Sequence, residues 1–145
     1  MQSPSEMHFR CAKRVLRYIQ GNLDHEILYS KGSVQLVGYT DADWAGSDEE
    51  MRSISGSCFT LGSGIINWFS KRQTVVAQST AEAEYVAAAK SANQAVWLRK
   101  VMADVKIAQT GPTNLFCDNK AAIAILKNLV LHDRTKHFKI KFHAI

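Results

Sequence analysis

From residue 34 onward, apolar residues recur first with the period of strands and then with the period of helices. Three apolar runs come early, and a glycine-rich turn at residues 62–64 joins the second run to the third. A helical period follows, then a fourth apolar run and a short apolar helix. The predicted strands are residues 34–40, 57–61, 65–70 and 113–117, and the helices are residues 81–105 and 120–127. The order βββαβα predicts a mixed α/β fold, with the fourth strand parallel to the first.

Helix-capping residues mark where two helices should begin. Ser3 and Glu6 form a capping-box pattern ahead of an apolar stripe, and Gly21 is a typical helix end. Ser79 and Glu82 repeat the pattern before the long helix. We therefore predict a further helix ahead of the strands, and we expect Glu82 to serve as a capping residue.

Acidic residues stand where three buried elements begin or end. Asp41 follows the first strand, Asp118 follows the fourth, and Glu84 lies in the first turns of the long helix. Placing carboxylates at the edge of a core is costly unless a cation or hydrogen bonds compensate them. The predicted strand order brings these three positions together, and ligands that are all oxygen favour Mg²⁺ or Mn²⁺. The pattern therefore indicates a divalent-metal site.

The same acids also have ordinary explanations. A single Asp at a strand end is more typical of a turn, and a single helical Glu is usually solvated. Asp43 is close to Asp41, but the Ala-Gly pair after Trp44 favours a strand that has already ended. We therefore expect Asp43 to lie at the surface or to contact the metal ligands without binding the metal itself. Residues alone leave the metal site and the structural explanation equally open.

Composition and charge limit the class of protein. The 145 residues are 46% apolar and 21% charged, which fits one globular domain. The three cysteines are widely separated, which favours reduced thiols in an intracellular protein, and no apolar run is long enough to span a membrane. The net charge is +5, with basic residues concentrated towards both ends. That excess indicates either a polyanionic partner or a merely solubilising surface.

Six short motifs are distributed along the chain. They are Tyr-Thr-Asp-Ala-Asp-Trp-Ala-Gly at 39–46, Arg-Ser-Ile-Ser-Gly at 52–56, Ser-Lys-Arg-Gln at 70–73, Ser-Thr-Ala-Glu-Ala-Glu-Tyr at 79–85, Cys-Asp-Asn-Lys at 117–120 and Arg-Thr-Lys-His at 134–137. In combination they resemble the ribonuclease H domain of copia-type retrotransposon Pol polyproteins. Residues 8–21 resemble the end of the reverse transcriptase region in the same polyprotein. The resemblance divides the chain into a helical segment, 1–30, and an RNase H-like domain, 31–145.

The resemblance implies an RNase H-like fold with flanking helices and a nuclease that cleaves the RNA strand of RNA–DNA hybrids. It implies that Asp41, Glu84 and Asp118 are the catalytic residues and the ligands of two Mg²⁺ or Mn²⁺ ions. The implied partners are an RNA–DNA hybrid and the reverse transcriptase region, without a membrane. The implied location is intracellular, in a cytoplasmic virus-like particle or the nucleus. The candidate nucleic-acid-binding residues are Arg52, Lys71, Arg72, Arg134 and Lys136.

The chain also departs from the pattern of the family it resembles. Family members continue into a fifth strand and a last helix with a fourth catalytic Asp, and they usually have an acid where Lys139 stands. We therefore expect a C-terminally truncated domain with low activity, higher with Mn²⁺, and an open sheet edge that permits a homodimer. The alternative is an inactive nucleic-acid-binding or domesticated interaction module. Alternation favours a strand over residues 134–145, whereas the resemblance favours a helix.

Overall fold

The computed structural model of the chain describes residues 3–30, 34–47 and 51–127, and only the backbone of Ser47. Residues 134–145, for which strand and helix were both considered, lie outside these ranges, as do Arg134 and Lys136. From strand β1 to helix α3 the order is βββαβα, as predicted. The elements are α1 (Glu6–Gln20), β1 (Leu36–Ser47), β2 (Arg52–Leu61), β3 (Gly64–Arg72), α2 (Thr80–Asp104), β4 (Asn114–Cys117) and α3 (Lys120–Lys127).

The four strands form one mixed sheet in the order β3-β2-β1-β4. The β1–β2 and β2–β3 pairs are antiparallel, and β4 runs parallel to β1 with Thr40 opposite Cys117. The predicted α/β class and the predicted direction of the fourth strand are therefore confirmed. Among the described strands β4 is at the sheet edge; the predicted homodimer through that edge stays a prediction.

Strands β1 and β2 are longer than the hydrophobic pattern predicts. β1 continues past Asp41 to Ser47, and Asp43 still pairs with Ile54 of β2. The expectation that the strand ends before the Ala-Gly pair is wrong, because pairing with β2 extends it. β2 begins at Arg52, five residues before the predicted start at residue 57. A register shift after Asp43 accommodates the small residues.

The core is apolar at one end of α2 and polar at the other. The later turns of α2 pack Ala95, Leu98 and Met102 against Leu36 and Phe59 of the sheet. The earlier turns carry alanines over buried polar residues of the strands and of the β3–α2 connection, namely Thr40, Ser53, Ser55, Ser57 and Gln73. Because these alanine side chains are small, the early turns of α2 can lie close to the sheet. Glu84 is in these early turns.

Helix α1 confirms its predicted end but not its predicted start. The N-cap is Ser5 rather than Ser3, and the capping box is completed by His8 instead of Glu6. Gly21 caps the C-terminus as expected. Within the described chain no residue of α1 is buried, so both its basic and its apolar faces are exposed. No helix in these ranges has the length and apolar character needed to cross a membrane.

Candidate active site

Glu84 reaches the sheet because of how α2 begins. The Ser79 side chain accepts a hydrogen bond from the Glu82 N–H at 3.2 Å, and the Glu82 carboxylate accepts one from the Gln78 N–H at 2.8 Å. The predicted capping role of Glu82 is confirmed, with Gln78 as the partner of its carboxylate. This start places Glu84 in the second turn, where only 6% of its surface is exposed. A nearly buried carboxylate in a helix that faces a sheet requires compensation.

Asp41 and Asp118 leave the same end of the parallel strand pair. The β1–β4 pairing stops where Thr40 faces Cys117, and each aspartate is the next residue of its strand or connection. Asn119 fixes the chain immediately after Asp118, since its side chain accepts a hydrogen bond from the Ala122 N–H at 3.0 Å at the start of α3. Both aspartates are exposed to solvent. A tight strand-to-helix turn therefore holds Asp118 beside the part of β1 that carries Asp41.

The structure places Glu84, Asp118 and Cys117 in one cluster, with Asp41 beside Glu84. Possible ligand atoms of Glu84, Asp118 and Cys117 lie within 4.8 Å of one another, and the Cys117 thiol lies 3.9 Å from Glu84 Oε2. Asp41 lies close enough to Glu84 for its charge to raise the pKa of that carboxyl, but it is not among the three residues whose possible ligand atoms meet within 4.8 Å. The strand order therefore brings Asp118 to Glu84, and Asp41 borders the cluster on the Glu84 side.

The electrostatics of this cluster is that of crowded negative charge. The pKa of Glu84 is raised to about 7, chiefly by burial and also by the charges of Asp41 and Asp118, while the Ala42 N–H acts against them. Burial also raises the pKa of the Cys117 thiol, with the neighbouring carboxylates adding to the effect. A divalent cation would compensate this charge. Three carboxylates suit Mg²⁺ or Mn²⁺, whereas sulfur is not a ligand that these ions prefer.

The basic candidates within the described chain lie at the same end of the sheet. Lys71 and Arg72 are exposed at the end of β3, and Arg52 is half-buried at the start of β2. They are close in register to the point where Gly56 pairs with Asp41. Cationic side chains therefore flank the acidic end of the sheet.

Two residues of the site were not predicted from the sequence, and one acid keeps its predicted surface position. Cys117 was expected only to be a reduced thiol, although its place before Asp118 at the end of a parallel strand is the signal that could have found it. Gln73 is buried under the start of α2 and was not singled out. Asp43 is exposed, and its carboxylate lies so close to Gly46 that a Cβ there would overlap it.

The β3-β2-β1-β4 sheet with α2 across it is an α/β architecture compatible with an RNase H-like domain. A scan of the sequence against protein-family models finds no match. Over the whole chain the sequence is 38% identical to the retrovirus-related Pol polyprotein from transposon RE1 of Arabidopsis thaliana. It is 36% identical to that from transposon TNT 1-94 of Nicotiana tabacum. The chain belongs to the copia-type retrotransposon Pol polyproteins.

The chain spans only about a tenth of the length of these polyproteins, 10% for RE1 and 11% for TNT 1-94. A further similarity is to a shorter protein, the secreted RxLR effector protein 161 of Plasmopara viticola. The two sequences are 45% identical over 96 residues, which are 66% of this chain and 68% of that protein. Sequences related to part of this chain therefore occur both inside long polyproteins and in a short protein.

Proposed function

We propose that this chain is the ribonuclease H region of a copia-type Pol polyprotein and hydrolyses the RNA strand of RNA–DNA hybrids. The observation that carries the proposal is the nearly buried Glu84 carboxylate, which lies beside Asp118 and close enough to Asp41 for that charge to raise its pKa. Such crowding is unfavourable in a purely structural role, and it suits a site that takes up cations.

Asp41, Glu84 and Asp118 would hold Mg²⁺ or Mn²⁺ ions. When bound, such ions acidify a water and neutralise charge on the phosphate that is attacked. The chain's own contribution is orientation. The cap at Asn119 fixes the turn that carries Asp118. Because Glu84 is nearly buried, its position is set by packing rather than by solvent.

The hybrid would approach the acidic end of the sheet along its basic flank. Lys71 and Arg72 are exposed there, and Arg52 lies at the neighbouring strand start. Contacts with phosphates give affinity without sequence preference, because an A-form helix is recognised mainly by shape and backbone. Binding through these residues should weaken steeply with salt, since each neutralised phosphate releases counterions.

The test is a cleavage assay on a hybrid with labelled RNA, with Mg²⁺ and Mn²⁺ in separate reactions. The wild-type chain should cut the RNA only when metal is present, and Asp41→Asn, Glu84→Gln and Asp118→Asn should each reduce the rate to background. Asp104→Asn is the matched control, because it removes an exposed carboxylate at the far end of α2. Its rate should equal that of the wild type.

Two results would contradict the proposal. Equal cleavage by wild type and Asp41→Asn would attribute the activity to a contaminating nuclease. Salt-dependent binding of the hybrid without any cut product would make the chain a nucleic-acid-binding module instead.

A further inference from the structure

The connection between β3 and α2 is tied to the sheet by a buried amide. Gln73 is 1% exposed, and its side-chain Nε2 donates to Ser55 Oγ at 3.0 Å and to the Ala83 carbonyl at 2.9 Å. Its backbone N–H donates to the Ser53 carbonyl at 2.8 Å. One side chain therefore joins β2 to the first turn of α2, at the residue directly before Glu84.

The side-chain amide of Gln73 has an unfavourable contribution to the free energy of folding. Its Oε1 atom is buried and has no hydrogen-bond partner among the described residues. A buried acceptor without a partner is unfavourable, and an apolar side chain of the same size would avoid the loss. Simple packing therefore does not account for glutamine here, whereas the two bonds donated by Nε2 do.

We propose that Gln73 is a positioning residue that fixes the first turns of α2 on β2, so that Glu84 reaches Asp41 and Asp118. The inference rests on the proposed function, in which Glu84 is a metal ligand. A second bond supports the same connection, since the Trp44 indole N–H donates to the Ala77 carbonyl at 3.0 Å. The connection is thus tied to β2 at one point and to β1 at another.

Helix α2 offers a matched control in Gln94. Its side-chain Nε2 donates to Asn67 Oδ1 of β3 at 3.2 Å, so it also joins the helix to the sheet through an amide. It lies ten residues after Glu84, which is about 15 Å along the helix axis. Gln94→Met and Gln73→Met are therefore the same isosteric change. Gln94→Met makes it far from the acidic cluster, and Gln73→Met makes it next to the cluster.

The experiment measures Mn²⁺ affinity and the hydrogen exchange of α2 amides in the wild type and both variants. Gln73→Met should weaken Mn²⁺ binding about tenfold, as loss of a group that orients a ligand usually does. It should speed exchange of amides in residues 83–88, and it should lower kcat for hybrid cleavage without changing KM. Gln94→Met should leave the Mn²⁺ affinity, kcat and exchange of residues 83–88 unchanged.

Unchanged Mn²⁺ affinity together with unchanged exchange of residues 83–88 in Gln73→Met would overturn the inference. Equal losses in Gln73→Met and Gln94→Met would also overturn it, because both would then act through general stability. If Gln73→Met does not fold, Gln73→Asn, which is one methylene shorter, is judged by the same criteria. If the wild type neither binds Mn²⁺ nor cleaves hybrid, the proposed function fails. In that case the exchange of residues 83–88 alone decides the role of Gln73.

Discussion

In the metal-free protein, Glu84 should make the free energy of unfolding fall as the pH rises. Its pKa is raised from the ordinary 4.5 to about 7, first by burial and then by the negative charges of Asp41 and Asp118. The folded chain therefore keeps a proton that the unfolded chain has already released. Glu84→Gln removes this titration and keeps the size of the side chain.

The magnitude follows from the difference between the folded and unfolded pKa. Below pH 4.5 the carboxyl is protonated in both states, so its ionisation costs the folded state nothing. Between pH 4.5 and about 7 only the unfolded chain is ionised, and stability falls by about 1.4 kcal/mol for each pH unit. Above about pH 7 the loss levels off at about 3 kcal/mol.

The assay is urea unfolding in a chelating buffer at intervals from pH 4.5 to pH 8. Wild type and Glu84→Gln should have similar stability at the lowest pH, and the variant should become the more stable protein as the pH rises. Asp104→Asn controls for the removal of a carboxylate from α2. A stability difference between wild type and Glu84→Gln that stays constant with pH, or that changes in the opposite direction, would refute the reasoning.

Three further changes test the packing that positions the site, each by urea unfolding. Gly38→Ala would place a Cβ 2.6 Å from the Phe59 ring and should lower the free energy of unfolding by about 1–3 kcal/mol. An unchanged urea midpoint would contradict this, because Phe59 would then have moved aside without loss of stability. Leu98→Ala should cost about 2–5 kcal/mol, and a loss below about 1 kcal/mol would contradict its place in the core. Arg99→Met removes guanidinium hydrogen bonds to residues 109–113 and should lower the free energy of unfolding by about 1–3 kcal/mol. Amides of residues 109–113 should also exchange faster, and exchange at the wild-type rate would contradict this.

Local signals in the sequence were sufficient for the order of elements and for the meeting of the acids. Apolar periodicity, the glycine-rich turn and the Ser79 cap each act within a few residues, and all agree with the structure. The parallel direction of β4 follows from the helix between it and β3. Once β1 and β4 are parallel neighbours, Asp41 and Asp118, which each follow the last residue of that pairing, must lie at the same end of the strand pair.

Features that depend on distant contacts could not be predicted in the same way. β1 runs beyond its apolar residues because β2 pairs with it, and a polar sequence does not reveal that pairing. Ser53, Ser55 and Ser57 are buried under the alanine-rich start of α2, which reverses the usual polar-outside alternation. Helical spacing within α2 does not reveal which stripe meets the core: Val96 is 43% exposed, whereas Ala95 and Leu98 are buried.

A metal soak tests the central claim most directly. Crystals soaked in Mn²⁺ should show anomalous density among Asp41, Glu84 and Asp118, with carboxylate oxygens about 2 Å from the ion. Glu84→Gln crystals under the same conditions should show this density weakened or lost. Saturating Mn²⁺ that gives no density at the cluster, or density only at unrelated surface carboxylates, would contradict the account.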